Sequence, residues 1–123
     1  MSYAAIIVAA GSSTRAGPGA PKPWRDVAGR SVLRWSVEAF LNAGAADLVV
    51  VLAQGREADA AAALEGLEGW RTVTGGATRA LSVQAGLAAL SGDGRTPVLV
   101  HDAARPFLTG EHIRRLLGAL ANA

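Results

Sequence analysis

The chain has 123 residues, half of them hydrophobic and 18% charged, so it can bury a core and is not intrinsically disordered. Its length fits one small domain, residues 1–123, or part of one. The formal net charge is only +2 and the basic residues are scattered, which argues against a nucleic-acid partner. Without cysteine, the chain has no disulfide, thiolate zinc site or cysteine nucleophile.

The start of the sequence carries no recognisable targeting signal. Met1 to Tyr3 run straight into an apolar stretch with no basic leader. No apolar run approaches the roughly 20 residues that a bilayer-spanning helix needs. We therefore expect a cytoplasmic protein with no membrane partner.

Apolar runs bounded by small residues predict four strands. The first, Tyr3–Ala9, is rich in Ile and Val and ends at a glycine-bearing loop, which is typical of a strand buried on both faces. The same reasoning predicts strands over Asp47–Ala53, Trp70–Thr74 and Pro97–His101.

Helical spacing of apolar residues predicts four helices. Ser31 is a candidate N-cap of the first helix, which Gly44 ends. The second, Arg56–Leu67, has a thin apolar stripe that indicates a surface position, and the others span Ala80–Leu90 and Thr109–Leu120, with Thr109 as a cap. Strands that alternate with helices predict an α/β fold with a parallel sheet.

Three segments are expected to meet at one edge of this sheet. They are AAGSSTRAGPGAPKPW (Ala9–Trp24), GGATR (Gly75–Arg79) and HDAARPF (His101–Phe107). Each follows a predicted strand, and ligands of open α/β sheets bind at the carboxyl ends of the strands. The expected edge is therefore a candidate binding site.

The first of these segments has the composition of a phosphate cradle. Ala9, Ala10 and Gly11 are small enough for backbone N–H groups to approach a phosphate, and Arg15 and Lys22 add positive charge. The Walker and dinucleotide glycine patterns are both missing. The alternative interpretation is a surface loop with two solvated cations.

The second segment combines the glycine pair Gly75–Gly76 with Ser82 at the start of a predicted helix. A tight turn followed by a serine on the helix surface is the plain alternative. Its position at the expected sheet edge favours a binding role.

The third segment places Asp102 directly after an apolar strand, where an unpaired carboxylate is costly. A magnesium ion that carries a triphosphate suits it, because Mg²⁺ takes one or two carboxylates plus phosphate oxygens. The alternatives are an ion pair with Arg105 or a cap of the following turn. We interpret His101 as a packed side chain, not a ligand.

The motifs AAGSSTRAGPGAPKPW, GGATRALSVQAGL and LVHDAARPF, in this order, resemble those of the 2-C-methyl-D-erythritol 4-phosphate cytidylyltransferases of the non-mevalonate isoprenoid pathway. The first motif is shared by many nucleotidyltransferases, whereas the other two are narrower. The resemblance covers nearly the whole chain. It implies a Rossmann-like nucleotidyltransferase fold with a mostly parallel sheet and helices on both faces, of which this chain is an incomplete part.

The resemblance also implies a reaction, the transfer of CMP from CTP to 2-C-methyl-D-erythritol 4-phosphate with Mg²⁺ or another divalent cation. It assigns Arg15 and Lys22 to charge stabilisation at the α-phosphate, Arg105 to the acceptor side and Asp102 to the metal. The nucleotide-binding residues it implies are Ala9, Ala10, Gly11, Gly76, Ser82, Asp102 and Ala103.

Three positions depart from the family pattern, namely Ala16, Pro23 and Ala77. Ala77 could weaken recognition of the base, and Pro23 could shift Lys22. Because members of the family are longer, we expect a fragment that is poorly active alone, or the start of a bifunctional protein with a cyclodiphosphate synthase domain. The full-length protein is expected to be a homodimer.

Other functions remain open. A polyol phosphate cytidylyltransferase such as the ribitol 5-phosphate enzyme shares the CTP chemistry. Such an enzyme usually has a bulkier or hydroxylated residue at the position of Ala103 or Ala104. A molybdopterin nucleotidyltransferase shares the first loop but would lack HDAARP. A non-catalytic α/β binding module of the response-receiver kind would need acidic residues at the end of the first strand, where this chain has alanine and glycine.

Overall fold

The computed structural model of the chain describes residues 3–10, 26–27, 30–90, 97–102, 111 and 113–115. Its elements in order are β1 (Ala4–Ala9), β2 (Asp26–Val27), β3 (Arg30–Ser31), α1 (Val32–Asn42), β4 (Asp47–Leu52), α2 (Glu57–Ala63), β5 (Arg71–Thr74), α3 (Arg79–Ala89) and β6 (Val98–Asp102). Within these residues, no helix is long and apolar enough to cross a membrane.

The main sheet has four strands in the order β5-β4-β1-β6, and every pair is parallel. All four predicted strands are present. The first strand of the chain lies inside the sheet, between β4 and β6, which is why its apolar run is continuous and each of its residues is buried. The predicted Rossmann-like α/β fold is confirmed.

Helices cover both faces of this sheet, as predicted. Alternate residues of β1 point to opposite faces, so Ile7 packs in one core cluster and Ile6 in another. The α1 face, which α1 and α2 cover, includes Leu33 and Leu64. The α3 face carries the smaller cluster, in which Val83 of α3 packs against the sheet.

The start of α1 follows the sequence signals closely. Ser31 is the N-cap, and its hydroxyl accepts a hydrogen bond of 3.1 Å from the Arg34 backbone N–H. After the helix, Gly44 adopts a φ of +85°, a left-handed conformation that glycine tolerates best.

The second helix is shorter than predicted. It ends at Ala63, four residues before Leu67, because Gly66 takes a φ of +85° and the Leu67 N–H turns back to the Leu64 carbonyl oxygen. The surface position is confirmed, since Ala60 is its only buried residue.

Two short features differ from the sequence prediction. β2 and β3 form an antiparallel pair that was not predicted, because two-residue strands carry no readable periodicity. β6 runs one residue further than predicted, so Asp102 is the last residue of the strand instead of following it. This strand is also less buried than expected, with Val100 41% exposed, because α3 packs on β1 and β4.

Candidate functional site

The carboxyl ends of the four parallel strands lie at one level. The register aligns Val8 of β1 with Val51 of β4 and with Asp102 of β6, and it aligns Val51 with Val73 of β5. The described residues that follow β1 and β5, together with the end of β6, therefore meet at one edge, as the sequence predicted.

Asp102 lies on the α3 side of this edge. Asp102 is paired with Val8 in the parallel register, so the two side chains lie on the same face of the sheet, and Val8 belongs to the cluster beneath α3. Ala10, directly after β1, packs against the same cluster. Asp102 is only partly buried. Its carboxylate is thus placed beside the end of β1, on the side where α3 begins.

The glycine turn after β5 reaches back toward β1. Two strand spacings, about 10 Å, separate β5 from β1, because β4 lies between them. The Gly75 N–H donates a hydrogen bond of 2.8 Å to the Leu52 carbonyl oxygen at the end of β4. Gly75 also lies so close to Ala10 that a Cβ on Gly75 would be 2.8 Å from the Ala10 Cβ. Two predicted binding segments are therefore in direct contact.

Ser82 is a buried residue, only 2% exposed, so the interpretation of it as a helix surface residue is wrong. Its hydroxyl oxygen accepts a hydrogen bond of 3.2 Å from the Gly76 backbone N–H. A serine hydroxyl can accept and donate at once, so this bond leaves its proton free to be donated. Ser82 thus joins the first turn of α3 to the glycine turn.

Thr78 and Leu81 complete the local structure and were not among the predicted site residues. Thr78 is the N-cap of α3, and its hydroxyl accepts a 3.1 Å hydrogen bond from the Leu81 N–H. The Leu81 side chain, 48% exposed, lies beside the Cα of Gly76. A threonine just before a run of helical spacing is a cap signal that could have identified Thr78 from sequence.

His101 lies on the opposite face of the sheet from Asp102 and Ser82. It is aligned with Ile7 and so faces the α1 side of the sheet. Its ring meets Phe40 edge-on, with ring centroids 5.9 Å apart and an interplanar angle of 69°. This contact agrees with the interpretation of His101 as a packed side chain.

Several predicted site residues lie outside the described residues, namely Gly11, Arg15, Lys22, Ala103 and Arg105. Ala9 is described as the last residue of β1, and its side chain is buried in the α1-face core. In the described ranges, no group of three or more histidines and carboxylates could hold a metal ion by itself. Among the described residues, Asp102 could therefore contribute one ligand but not a complete metal site.

Comparison with known proteins gives the family of the chain. Residues 3–123 match the family model IspD, 2-C-methyl-D-erythritol 4-phosphate cytidylyltransferase. The chain belongs to this family. It is 64% identical over 124 residues to the bifunctional enzyme IspD/IspF of Caulobacter vibrioides, in a match that covers 100% of the chain and 32% of that protein.

Solved structures of the IspD family superpose on the chain. The 4-diphosphocytidyl-2C-methyl-D-erythritol synthase of Anaerococcus prevotii gives a TM-score of 0.79 at 32% identity, over 97% of this chain and 51% of that one. The 2-C-methyl-D-erythritol 4-phosphate cytidylyltransferase of Thermus thermophilus gives a TM-score of 0.73 at 36% identity. The match covers 98% of this chain and 50% of that one. The chain thus spans about a third of the curated relatives it matches and half of the solved chains.

Proposed function

We propose that residues 1–123 form the CTP-binding N-terminal part of an enzyme that transfers CMP from CTP to 2-C-methyl-D-erythritol 4-phosphate. The products are 4-diphosphocytidyl-2-C-methyl-D-erythritol and pyrophosphate. The observation that carries the proposal is the contact of Ala10, Gly75 and Ser82 at the carboxyl edge of the sheet, with Asp102 on the same side, in a chain of the IspD family.

The base of the nucleotide is proposed to bind at the glycine turn. Gly76 and Ser82 lie together there, and the buried Ser82 hydroxyl retains a proton that it can donate to a carbonyl or ring nitrogen of a base. Small residues pack closely around this turn, so the space beside it suits a pyrimidine better than the larger purine. Ala9, Ala10 and Gly11 would offer backbone N–H groups to the nucleotide.

The metal ion is proposed to be Mg²⁺ or another divalent cation, held by Asp102 and by phosphate oxygens. The Asp102 carboxylate at the sheet edge fits Mg²⁺, which commonly binds one or two carboxylates plus substrate phosphates. Once bound, the ion supplies positive charge to the triphosphate. Ala103 follows Asp102 and would contact the nucleotide beside it.

The chemical step needs no protein nucleophile. An oxygen of the acceptor phosphate forms a bond to the α-phosphorus of CTP, and the bond from that phosphorus to the bridging oxygen breaks, so pyrophosphate leaves with the electron pair. What the protein supplies is alignment of the two phosphates and neutralisation of the charge between them. We assign the neutralisation to Arg15 and Lys22, and contact with the acceptor to Arg105.

The test is steady-state kinetics of the full-length protein with CTP, UTP, ATP and GTP as donors, with and without Mg²⁺. The acceptors are 2-C-methyl-D-erythritol 4-phosphate and ribitol 5-phosphate. We expect selective, divalent-dependent use of CTP and of the first acceptor. Lys22→Ala should lower kcat by about 10²–10³-fold, the cost of removing one preorganised charge from a transition state.

The matched control is Arg115→Ala, which removes an exposed cation that pairs with Glu111, four residues earlier, and it should leave kcat unchanged. Preference for ribitol 5-phosphate or for GTP would replace the proposed substrates. Absence of CMP transfer to either acceptor would overturn the proposal.

We further propose that the whole protein is cytoplasmic and homodimeric and carries a cyclodiphosphate synthase domain, since the similar Caulobacter protein is named as a bifunctional IspD/IspF enzyme. Residues 1–123 alone should transfer CMP poorly, because they correspond to about half of each solved family structure. Light scattering of the full-length protein tests the dimer, and an assay of cyclodiphosphate formation tests the second domain. An assay of CMP transfer by the isolated chain tests its poor activity.

A further inference from the structure

Gly75 occupies a gap that three separate segments close around. A Cβ at this position would lie 2.5 Å from the Ser82 Oγ, 2.8 Å from the Ala10 Cβ and 2.9 Å from the Val51 Cγ1. Ordinary contacts between such atoms are about 3.5–4.0 Å. Gly75 does not have a positive φ. The position therefore requires glycine because of its neighbours, not because of its backbone conformation.

The glycine turn cannot easily move away from those neighbours. The Gly75 N–H is bonded to the Leu52 carbonyl oxygen at 2.8 Å, and the Gly76 N–H is bonded to the Ser82 hydroxyl at 3.2 Å. A side chain at Gly75 would have to push on Ala10 and Ser82 or break these bonds. Ala10 leads into the proposed phosphate loop, and Ser82 belongs to the proposed base site.

We propose that Gly75 is a positioning residue that sets the spacing between the end of β1 and the first turn of α3, and so the width of the nucleotide site. The inference rests on the proposed function. Gly75 acts through Ala10 and Ser82, so its substitution should weaken the binding of CTP more than it slows the transfer step.

The test compares two glycine substitutions in the full-length protein. Gly75→Ala is expected to raise the KM for CTP by roughly ten- to a hundredfold, which is the change in an equilibrium constant that overpacking by a methyl group commonly produces. It should change kcat at saturating CTP by less than about threefold. The control is Gly44→Ala between α1 and β4, at the opposite edge of the sheet, where the φ of +85° strains any side chain although no atom would lie within 4 Å of it. It should lower the Tm while leaving the KM for CTP unchanged.

A rescue variant separates positioning from general damage. Ala10→Gly removes one of the atoms that a methyl group at Gly75 would meet, so Gly75→Ala combined with Ala10→Gly should recover part of the lost affinity. If Gly75→Ala does not fold, this double variant is compared with Ala10→Gly alone. A residual rise in the KM for CTP is then expected, because the contact with Ser82 remains.

Each outcome bears on the inference separately from the proposed function. If Gly75→Ala changes the KM for CTP no more than Gly44→Ala does, Gly75 has no positioning role while the proposed function stands. The same conclusion follows if Gly75→Ala does not fold and the double variant matches Ala10→Gly alone. If the unsubstituted protein neither binds CTP nor transfers CMP, both fail.

Discussion

The α1 face of the sheet buries large side chains almost completely, whereas α3, on the other face, buries small residues and leaves its large side chains exposed. Tyr3 and Phe40 are each 1% exposed on the α1 face. On the other side, the only buried residues of α3 are Ser82 and Gly86, and Leu81 and Leu87 are both 48% exposed.

This difference follows from what each face does in the proposed function. Large buried side chains contribute most of the hydrophobic free energy, so the α1 face stabilises the fold. Small residues let α3 approach the sheet closely and bring its first turn to the carboxyl edge, as the contacts of Gly75 and Gly86 show. The α3 face thus provides less burial but builds the candidate site.

The largest effect that would test this comparison comes from Phe40→Ala. Removing a fully buried phenylalanine from the α1 face should lower the free energy of unfolding by about 3–5 kcal/mol, through lost burial and a cavity. Leu87→Ala, on the partly exposed surface of α3, should cost less than about 1 kcal/mol. Urea unfolding measures both. Equal losses would show that the two faces stabilise the fold alike.

The helix caps offer a closely matched pair, one for each face. The Ser31 and Thr78 hydroxyls each accept a 3.1 Å hydrogen bond from the first turn of their helix, α1 and α3 respectively. Ser31→Ala and Thr78→Ala should each cost about 1 kcal/mol of stability. Only Thr78→Ala should also raise the KM for CTP, because α3 carries Ser82. An equal rise in both variants would contradict a site confined to the α3 face.

Tyr3 gives the α1 face a dependence on alkaline pH. Burial raises the pKa of its phenol above the ordinary value of 10.0, and its hydroxyl donates a 3.1 Å hydrogen bond to the Phe40 carbonyl oxygen. Tyr3→Phe should cost about 1 kcal/mol at neutral pH.

Because the folded protein favours the protonated phenol, the stability due to Tyr3 is complete below pH 10 and falls as the pH rises through the raised pKa. The stability lost in Tyr3→Phe should therefore become smaller above pH 10. Because Tyr3 is the only tyrosine in the chain, no other phenol contributes to this change. Thermal unfolding between pH 7 and 11 measures this, and a constant deficit would rule out the ionisation of Tyr3 as its cause.

The smallest effects are expected at the helix ends. Arg34 donates hydrogen bonds to two carbonyl oxygens at the end of α2, that of Ala63 at 3.1 Å and that of Glu65 at 2.8 Å. Arg71 donates to the Ala89 carbonyl oxygen at the end of α3 and forms an ion pair with Asp47. Both arginines are partly exposed, so replacing either by alanine should cost roughly 0.3–1 kcal/mol.

The loss at Arg71 should shrink more in salt, because its ion pair with Asp47 is more exposed than the ion pair of Arg34 with Glu38. Unfolding at low and high ionic strength measures the difference. A loss at Arg71 that does not change with salt would assign its effect to the Ala89 carbonyl bond alone.

The sequence by itself determined the four strands of the main sheet and the three helices between them, although not the short β2–β3 pair. The continuous apolar runs of β1 and β4 mark strands buried on both sides, and Ser31 marks the start of α1. These signals are local, because periodicity and capping depend on residues within a few positions of one another. The three motifs and their order along the chain also indicated the family.

Only the tertiary structure decided which residues share the site. No local pattern shows that Gly75 contacts Ala10 across the end of β4, or that Ser82 is buried beneath the glycine turn. Strand order and register decide the contact of Gly75 with Ala10, which lie tens of positions apart in the chain, and the packing of α3 on the sheet decides the burial of Ser82. Sequence reasoning therefore placed Gly75 in a binding segment but gave it no role of its own, because its need for glycine arises from the atoms that surround it and not from its own backbone.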